Sequence, residues 1–187
     1  MTKKEHHSGN LSPEFALLGF LIEKPCHGYD LHQRLTTELG QVWHLSQSQA
    51  YAILKRLETR GDISARVVAQ EKLPARQMLH ITTSGRKHFF AWLETDISTT
   101  ARSIRLEFLT RLYFAQLYRP EILAQIYQSQ LTEINTKIEQ LEILIEHLPP
   151  EQTYNRLSLD LRLQQMKLIQ TWMAEIRIQF HIAKEIR

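Results

Sequence analysis

The sequence lacks the features of secreted, membrane-spanning and disulfide-stabilised proteins. Its 187 residues include one cysteine, Cys26, so an intramolecular disulfide is excluded. No apolar run has the length of a membrane span, and the N-terminal segment MTKKEHHSGN lacks the apolar centre of a signal peptide. We therefore expect a cytoplasmic protein with no membrane partner.

Neither sign of charge dominates the chain. Its 23 Lys and Arg residues and 20 Asp and Glu residues leave a net charge of +3. A charge this small permits nucleic-acid binding but does not indicate it, so any DNA-binding surface must come from local placement of basic residues. Between residues 46 and 76, six basic residues accompany three acidic ones.

Motifs for catalysis and for metal binding are also missing. The nine histidines show no paired spacing typical of a metal site. There is no Gly-rich phosphate-binding loop and no nucleophile elbow. We therefore expect no metal, no cofactor and no enzymatic activity.

Three helices with clear start and stop signals are predicted in the first sixty residues. The first begins at Ser12-Pro13-Glu14 and ends at Lys24-Pro25, and the second runs from Gly28 to Gly40. The third is capped by Ser46 and closed by Gly61. Its apolar residues share one face, and short or basic residues lie on the opposite face: Ser48, Ala52, Lys55 and Thr59.

The hydrophobic period then changes from 3.6 to 2. Alternating residues from Ile63 and again from Gln77, with a turn at 71–75, predict a β-hairpin, and Thr82 begins a fourth helix. Three helices, a hairpin and a helix form a winged helix-turn-helix. We assign residues 11–98 to this domain and residues 1–10 to a mobile arm.

A helix with an apolar holding face and an opposite face of short and basic side chains is suited to the major groove of DNA. We predict contacts with double-stranded DNA from this helix and from the wing: Ser46, Ser48, Gln49, Tyr51, Lys55, Arg56, Lys72 and Arg76. Any amphipathic helix has a solvated polar face, so a winged-helix protein-interaction module that binds no DNA is the alternative.

Residues 99–187 are predicted to be helical, which makes the whole chain mainly α. A heptad seam follows Pro120, and after Pro150 one helix is predicted from 154 to 186. The early leucines make this last helix apolar on several sides. The seam could pack inside its own chain, but its size favours a partner helix from a second subunit. We predict that a homodimer forms through Tyr127, Leu131, Ile134, Ile138, Leu141, Ile145, Met166, Ile169, Met173 and Ile176.

Several aromatic residues fall near the predicted domain junction. They could line a pocket for a small aromatic effector, although aromatic residues are more often part of a core. The candidates are Trp43, Trp92, Phe108 and Trp172.

Three segments carry a resemblance to the PadR family of transcriptional regulators: LSPEFALLGFLIEKPCHGYDLHQRL, SQSQAYAILKRLETRGDI and LPARQMLHITTSG. The helical half more loosely resembles the longer-tailed subfamily, which has a virulence-activator-like domain. The resemblance implies a homodimeric, effector-responsive repressor that binds an inverted repeat. The family often has R-K-x-Y after the wing tip, where this chain has Arg76-Gln77-Met78-Leu79, so it lacks a Lys and a Tyr that the resemblance implies as possible phosphate contacts.

Overall fold

The chain is divided into two compact units, Met1–Thr95 and Asp96–Arg187. The computed structural model describes residues 13–68, 76–95 and 100–182. The predicted arm at residues 1–10 lies outside the described residues. No described helix is both long enough and apolar enough to cross a bilayer.

The first unit is a winged helix-turn-helix, as predicted. Its elements are α1 (Glu14–Glu23), β1 (Cys26–His27), α2 (Gly28–Leu39), α3 (Gln47–Thr59), β2 (Ile63–Val68), β3 (Arg76–Ile81) and α4 (Thr83–Glu94). The helix α1 is central because it contacts α2, α3, α4 and β3. Six consecutive residues of α1, from 16 to 21, are buried, so this helix is enclosed on all sides.

The sheet has three antiparallel strands in the order β1-β3-β2. The hairpin pairs Ile63 with Ile81 and Val68 with Arg76. The strand β1 pairs Cys26 with Leu79, and the sequence did not predict it. Two residues are too few to show an alternating pattern, so β1 is detectable only through its partner.

The predicted helix boundaries are confirmed at α3 and α4. Ser46 Oγ accepts a hydrogen bond from Gln49 N, and Gln49 Oε1 accepts one from Ser46 N, which together form a capping box. Gly61 follows α3 with φ of +80°, a conformation that favours glycine. Thr82 caps α4 by accepting a hydrogen bond from the backbone N–H of residue 85.

The second unit contains helices and the turns that connect them, and no strand among its described residues. Its elements are α5 (Ala101–Ser103), a π-helix (Ile104–Phe108), α6 (Leu109–Tyr118), a 3-10 helix (Pro120–Ile122), α7 (Leu123–Glu146) and α8 (Thr153–Gln179). The helices α7 and α8 pack against each other as a helical hairpin. The last helix is single, as predicted, but it ends at Gln179 rather than at 186, and His181 follows with φ of +51°.

Candidate nucleic-acid interface

The helix α3 is held by one face and exposes the other. Its buried residues are Ala50, Ile53, Leu54 and Leu57, and the helix contacts α1, α2 and β2. Four side chains on the opposite face are exposed: Ser48, Ala52, Lys55 and Thr59. This is the orientation that the DNA-binding hypothesis requires, although DNA contact by these residues stays a prediction.

The residues predicted for DNA contact at the start of α3 already have partners within the chain. Ser46 and Gln49 are exposed but bond each other in the capping box, at 3.3 and 2.9 Å. The capping box fixes where α3 begins, so these two side chains position the helix. Base contact by either side chain would compete with the cap.

Tyr51 and Lys55 lie one turn apart on the exposed side of α3. The Tyr51 ring is 47% exposed. The Lys55 ammonium forms no ion pair with any other described residue, and its backbone carbonyl accepts a hydrogen bond from Thr59 Oγ1 at 2.9 Å. The charge of Lys55 is therefore available to a phosphate or to a guanine edge.

Arg56 lies on the flank of α3 that faces α1. Its Nη2 donates to Glu14 Oε1 at 2.9 Å, and Arg60 Nη1 donates to Glu14 Oε2 at 3.1 Å. One carboxylate at the start of α1 thus holds two arginines of the proposed reading helix. The sequence did not reveal this contact, because Glu14 and Arg56 are 42 residues apart.

A buried carboxylate fixes the end of α3. Asp62 has no exposed surface, accepts a hydrogen bond from Arg60 Nε, and lies 2.6 Å from Nδ1 of His88 on α4. Its backbone carbonyl accepts a hydrogen bond from Thr82 N at 2.9 Å. Through these contacts Asp62 joins α3, the start of β2 and α4, and sequence analysis missed it.

The structure describes only one of the two residues predicted for contact between the wing and DNA. Lys72 lies outside the described residues, and Arg76 is described only by its backbone pairing with Val68. Further towards the turn the hairpin leaves the core, because Ile63 is buried whereas Val67 is 70% exposed. Phosphate contact by the wing stays a prediction.

The residues predicted for dimerisation are mostly buried inside their own chain. Seven of the ten are at most 7% exposed, and the other three, Leu131, Ile145 and Ile169, are half-buried. The helix α7 carries most of them and contacts α8 and α6. Gln170 Nε2 also donates to Asn135 Oδ1 at 2.7 Å across the α7–α8 contact. Packing within one chain, the alternative considered for the seam, therefore accounts for its burial.

The four aromatic residues predicted for an effector pocket are divided between the two units. In the first unit Trp43 is buried, and Trp92 stacks on Phe15 with ring centroids 4.7 Å apart. In the second unit Phe108 and Trp172 contact edge to face at 6.4 Å. These contacts are typical of core packing, and an effector role for them stays a prediction.

No group of three or more His, Cys, Asp and Glu side chains among the described residues could hold a metal ion.

Comparison with known proteins identifies the family. The transcriptional regulator PadR-like family matches residues 17–91, which span α1 to α4. The negative transcriptional regulator PadR of Bacillus subtilis is 28% identical over 135 residues, which are 72% of this chain and 74% of that protein.

Two solved structures are also similar to this chain. The complex of Bacillus subtilis PadR with operator DNA has 26% identity and a TM-score of 0.45, with coverage of 89% of this chain and 98% of that chain. The smu.1604c protein of Streptococcus mutans has 26% identity and a TM-score of 0.44, with coverage of 87% and 96%. The winged helix-turn-helix unit, whose residues 17–91 match the family model, therefore belongs to the PadR-like family of transcriptional regulators.

Proposed function

We propose that the protein is a repressor that binds an inverted repeat in double-stranded DNA as a homodimer and that releases DNA when a small aromatic effector binds. The observation that carries the DNA-binding part is the orientation of α3, whose apolar face is buried while Ser48, Lys55 and Thr59 are exposed. A regulator of this kind acts where the chromosome is, so we place it in the cytoplasm.

Short side chains at the centre of the exposed face allow α3 to approach the base edges closely. Ser48 and Ala52 project little beyond the helix backbone, and Lys55 one turn further carries the positive charge. A well-placed base contact contributes about 1–3 kcal/mol of discrimination, and phosphate contacts add affinity without specifying sequence.

The homodimer needs a surface other than the buried seam, and α8 offers one. Four of its apolar side chains are largely exposed: Tyr154 at 87%, Leu157 at 60%, Leu161 at 58% and Leu168 at 71%. Their spacings of three, four and seven residues place them on one stripe of the helix. This stripe lies opposite Met166 and Met173, which face the chain's own core.

A continuous exposed stripe of this kind marks an interface, whereas single exposed apolar residues are common on any surface. Burying one leucine contributes about 1.5–3 kcal/mol, and a two-fold axis doubles the number of side chains buried. We propose that the stripe, defined by Tyr154, Leu157, Leu161 and Leu168, packs against the same stripe of a second copy.

Repression and the effector response have different support. The Bacillus subtilis relative is a negative regulator, and we extend that sign of regulation to this chain. The response to an effector rests on the family resemblance. A coupling between effector and DNA binding of about 1–3 kcal/mol would lower the affinity for DNA by roughly 5- to 150-fold.

The DNA-binding proposal is tested by gel-shift titrations of the purified protein with the DNA that flanks its own gene, at a series of salt concentrations. We expect a specific complex whose affinity falls steeply as salt rises, because bound Lys and Arg side chains displace counterions from DNA. Weak binding that does not depend on salt or sequence would favour the protein-interaction module instead.

A further inference from the structure

A cleft of about 780 Å³ opens beside the reading face of α3. It is bounded by the start of α2, one flank of α3 and the strand β3, all within the first unit. Binding sites for small molecules commonly have volumes of about 300–1,000 Å³. The cleft is therefore large enough for a ligand of one or two aromatic rings, and the exposed Ser48, Ala52 and Thr59 are not among its lining residues.

The cleft has aromatic walls and an apolar floor. Tyr29 from α2 and Tyr51 from α3 are 57% and 47% exposed, whereas the floor residues Leu54 and Leu79 are only 5% and 6% exposed. Large aromatic side chains that remain this exposed have apolar ring surface to cover. A flat aromatic ligand would cover both rings and the two leucines.

Gly28 allows the start of α2 to lie close to the Tyr51 ring of α3. A Cβ atom at this position would lie 2.9 Å from Cε1 of Tyr51, so any side chain there would push the Tyr51 ring away. The backbone at the start of α2 therefore contacts the Tyr51 ring directly, and the ring has a fixed support along one edge.

Charged side chains of both signs line the cleft: the carboxylates of Asp30 and Glu58 and the ammonium of Lys55. Lys55 and Glu58 carry opposite charges three residues apart on α3, and they form no ion pair with each other. Asp30 lies in the first turn of α2, where the positive end of the helix dipole offsets its negative charge. A carboxylate ligand would meet Asp30 and Glu58, and a cationic ligand would meet Lys55, so the cleft suits an uncharged ligand.

We propose that this cleft binds an uncharged, planar aromatic molecule between Tyr29 and Tyr51, over Leu54 and Leu79. Lys55 belongs both to the cleft and to the proposed DNA-reading surface, so the ligand and DNA exclude each other. The second statement rests on the proposed function, and it gives the effector a site within the DNA-binding unit itself.

The probe for this site is 2-naphthol, with 2-naphthoate and 2-naphthylmethylammonium as analogues that carry the same rings and a negative or a positive charge. Binding to the full-length protein without DNA is followed by NMR of ring-labelled tyrosines, with Tyr29→Phe and Tyr51→Phe used to assign the signals. We expect 2-naphthol to shift the signals of Tyr29 and Tyr51 and to bind at least about tenfold more tightly than either charged analogue. Unshifted tyrosine signals, or equal affinity for 2-naphthoate, would overturn the proposal.

A charge variant distinguishes the cleft from non-specific apolar binding. Glu58→Gln removes a repulsive carboxylate and is expected to strengthen 2-naphthoate binding by about threefold or more. Glu139→Gln, at an exposed position on α7, is the matched control and should leave that affinity unchanged. Equal effects of the two variants would contradict the site.

Competition with DNA is measured separately, by adding 2-naphthol to a preformed protein–DNA complex. We expect the complex to dissociate at concentrations that saturate the tyrosine signals. If 2-naphthol shifts the tyrosine signals but the protein–DNA complex stays intact, the proposed exclusion of DNA is refuted and the proposed binding site is retained. A protein that binds 2-naphthol but no DNA at all would refute the proposed function instead.

Discussion

Lys55 differs in its surroundings from Arg56 of α3 and from Arg60, which directly follows the helix. Arg56 and Arg60 are both bonded to Glu14, whereas no described carboxylate pairs with the Lys55 ammonium. The two arginines therefore help to fix α3 on α1, and Lys55 is the basic residue of this helix most available to DNA.

We expect Lys55→Ala to weaken DNA binding by about 1–3 kcal/mol if it contacts a base, and to lower the slope of affinity against salt by about one if it contacts a phosphate. Gel-shift titration at several salt concentrations measures both quantities. Lys137→Ala removes the same charge from α7 in the second unit and serves as the control. Equal affinities for the Lys55 variant and the unchanged protein would show that the reading face is assigned wrongly.

The single thiol gives a test of the first unit that does not depend on DNA. Burial raises the pKa of the Cys26 thiol, Asp30 raises it further, and Arg34 and Lys24 act in the opposite direction. Only the thiolate reacts, so a raised pKa moves thiol reactivity to higher pH.

A disulfide reagent modifies Cys26 at a rate that rises with pH. We expect the midpoint of this rise to lie at higher pH in the folded protein than in the chain unfolded by guanidinium chloride. The midpoint of the pH profile is the readout, because a lower rate alone could reflect restricted access. Coinciding midpoints would contradict the described burial of Cys26 beside Asp30.

Single residues with local roles could be predicted from sequence, and residues with distant partners could not. Ser46 and Gly61 act at the two ends of their own helix, so the neighbouring sequence contains the whole signal. Glu14 and Asp62 gain their partners only when the chain folds, and nothing in their neighbouring residues indicates them.

At the scale of elements, periodicity predicted which helix faces are apolar but not what covers them. The heptad seam of α7 was correctly located, yet its partner surface is α8 of the same chain. A seam has the same sequence pattern whether the second helix belongs to one chain or to another. The apolar character of α8 on several sides was the clue that one face remains uncovered.

The buried contact between α7 and α8 and the exposed stripe of α8 predict opposite outcomes for the same kind of substitution. Ile138→Asp would place a charge in the contact of α7 with α8, where Ile138 is 7% exposed, and should destabilise the fold by more than about 4 kcal/mol. Leu161→Asp changes a side chain that is 58% exposed and should leave thermal unfolding of the monomer unit nearly unchanged while it dissociates the dimer.

Sedimentation velocity and thermal unfolding by circular dichroism separate these outcomes. Asn155→Asp adds the same charge to an exposed position of α8 outside the apolar stripe and should remain a dimer. A Leu161→Asp protein that sediments as a dimer would exclude the stripe as the interface.

At the scale of the whole molecule, two-fold symmetry is what turns one reading helix into a specific regulator. One α3 contacts only a few base pairs, whereas two copies on one face of the duplex read both halves of an inverted repeat. Specific regulation therefore requires both the exposed face of α3 and a second copy of the chain. DNA that contains an inverted repeat should bind much more tightly than DNA that contains one half of it.

The most direct test is a nuclease footprint of the full-length protein on the DNA that flanks its own gene. We predict two protected segments whose centres lie about one helical turn, or a small multiple of a turn, apart. In a variant carrying Ser48→Asp and Lys55→Ala, both exposed on α3, protection should be lost at the protein concentration that saturates the unchanged protein. Protection by this variant equal to that of the unchanged protein would contradict the claim that the outer face of α3 enters a groove of DNA.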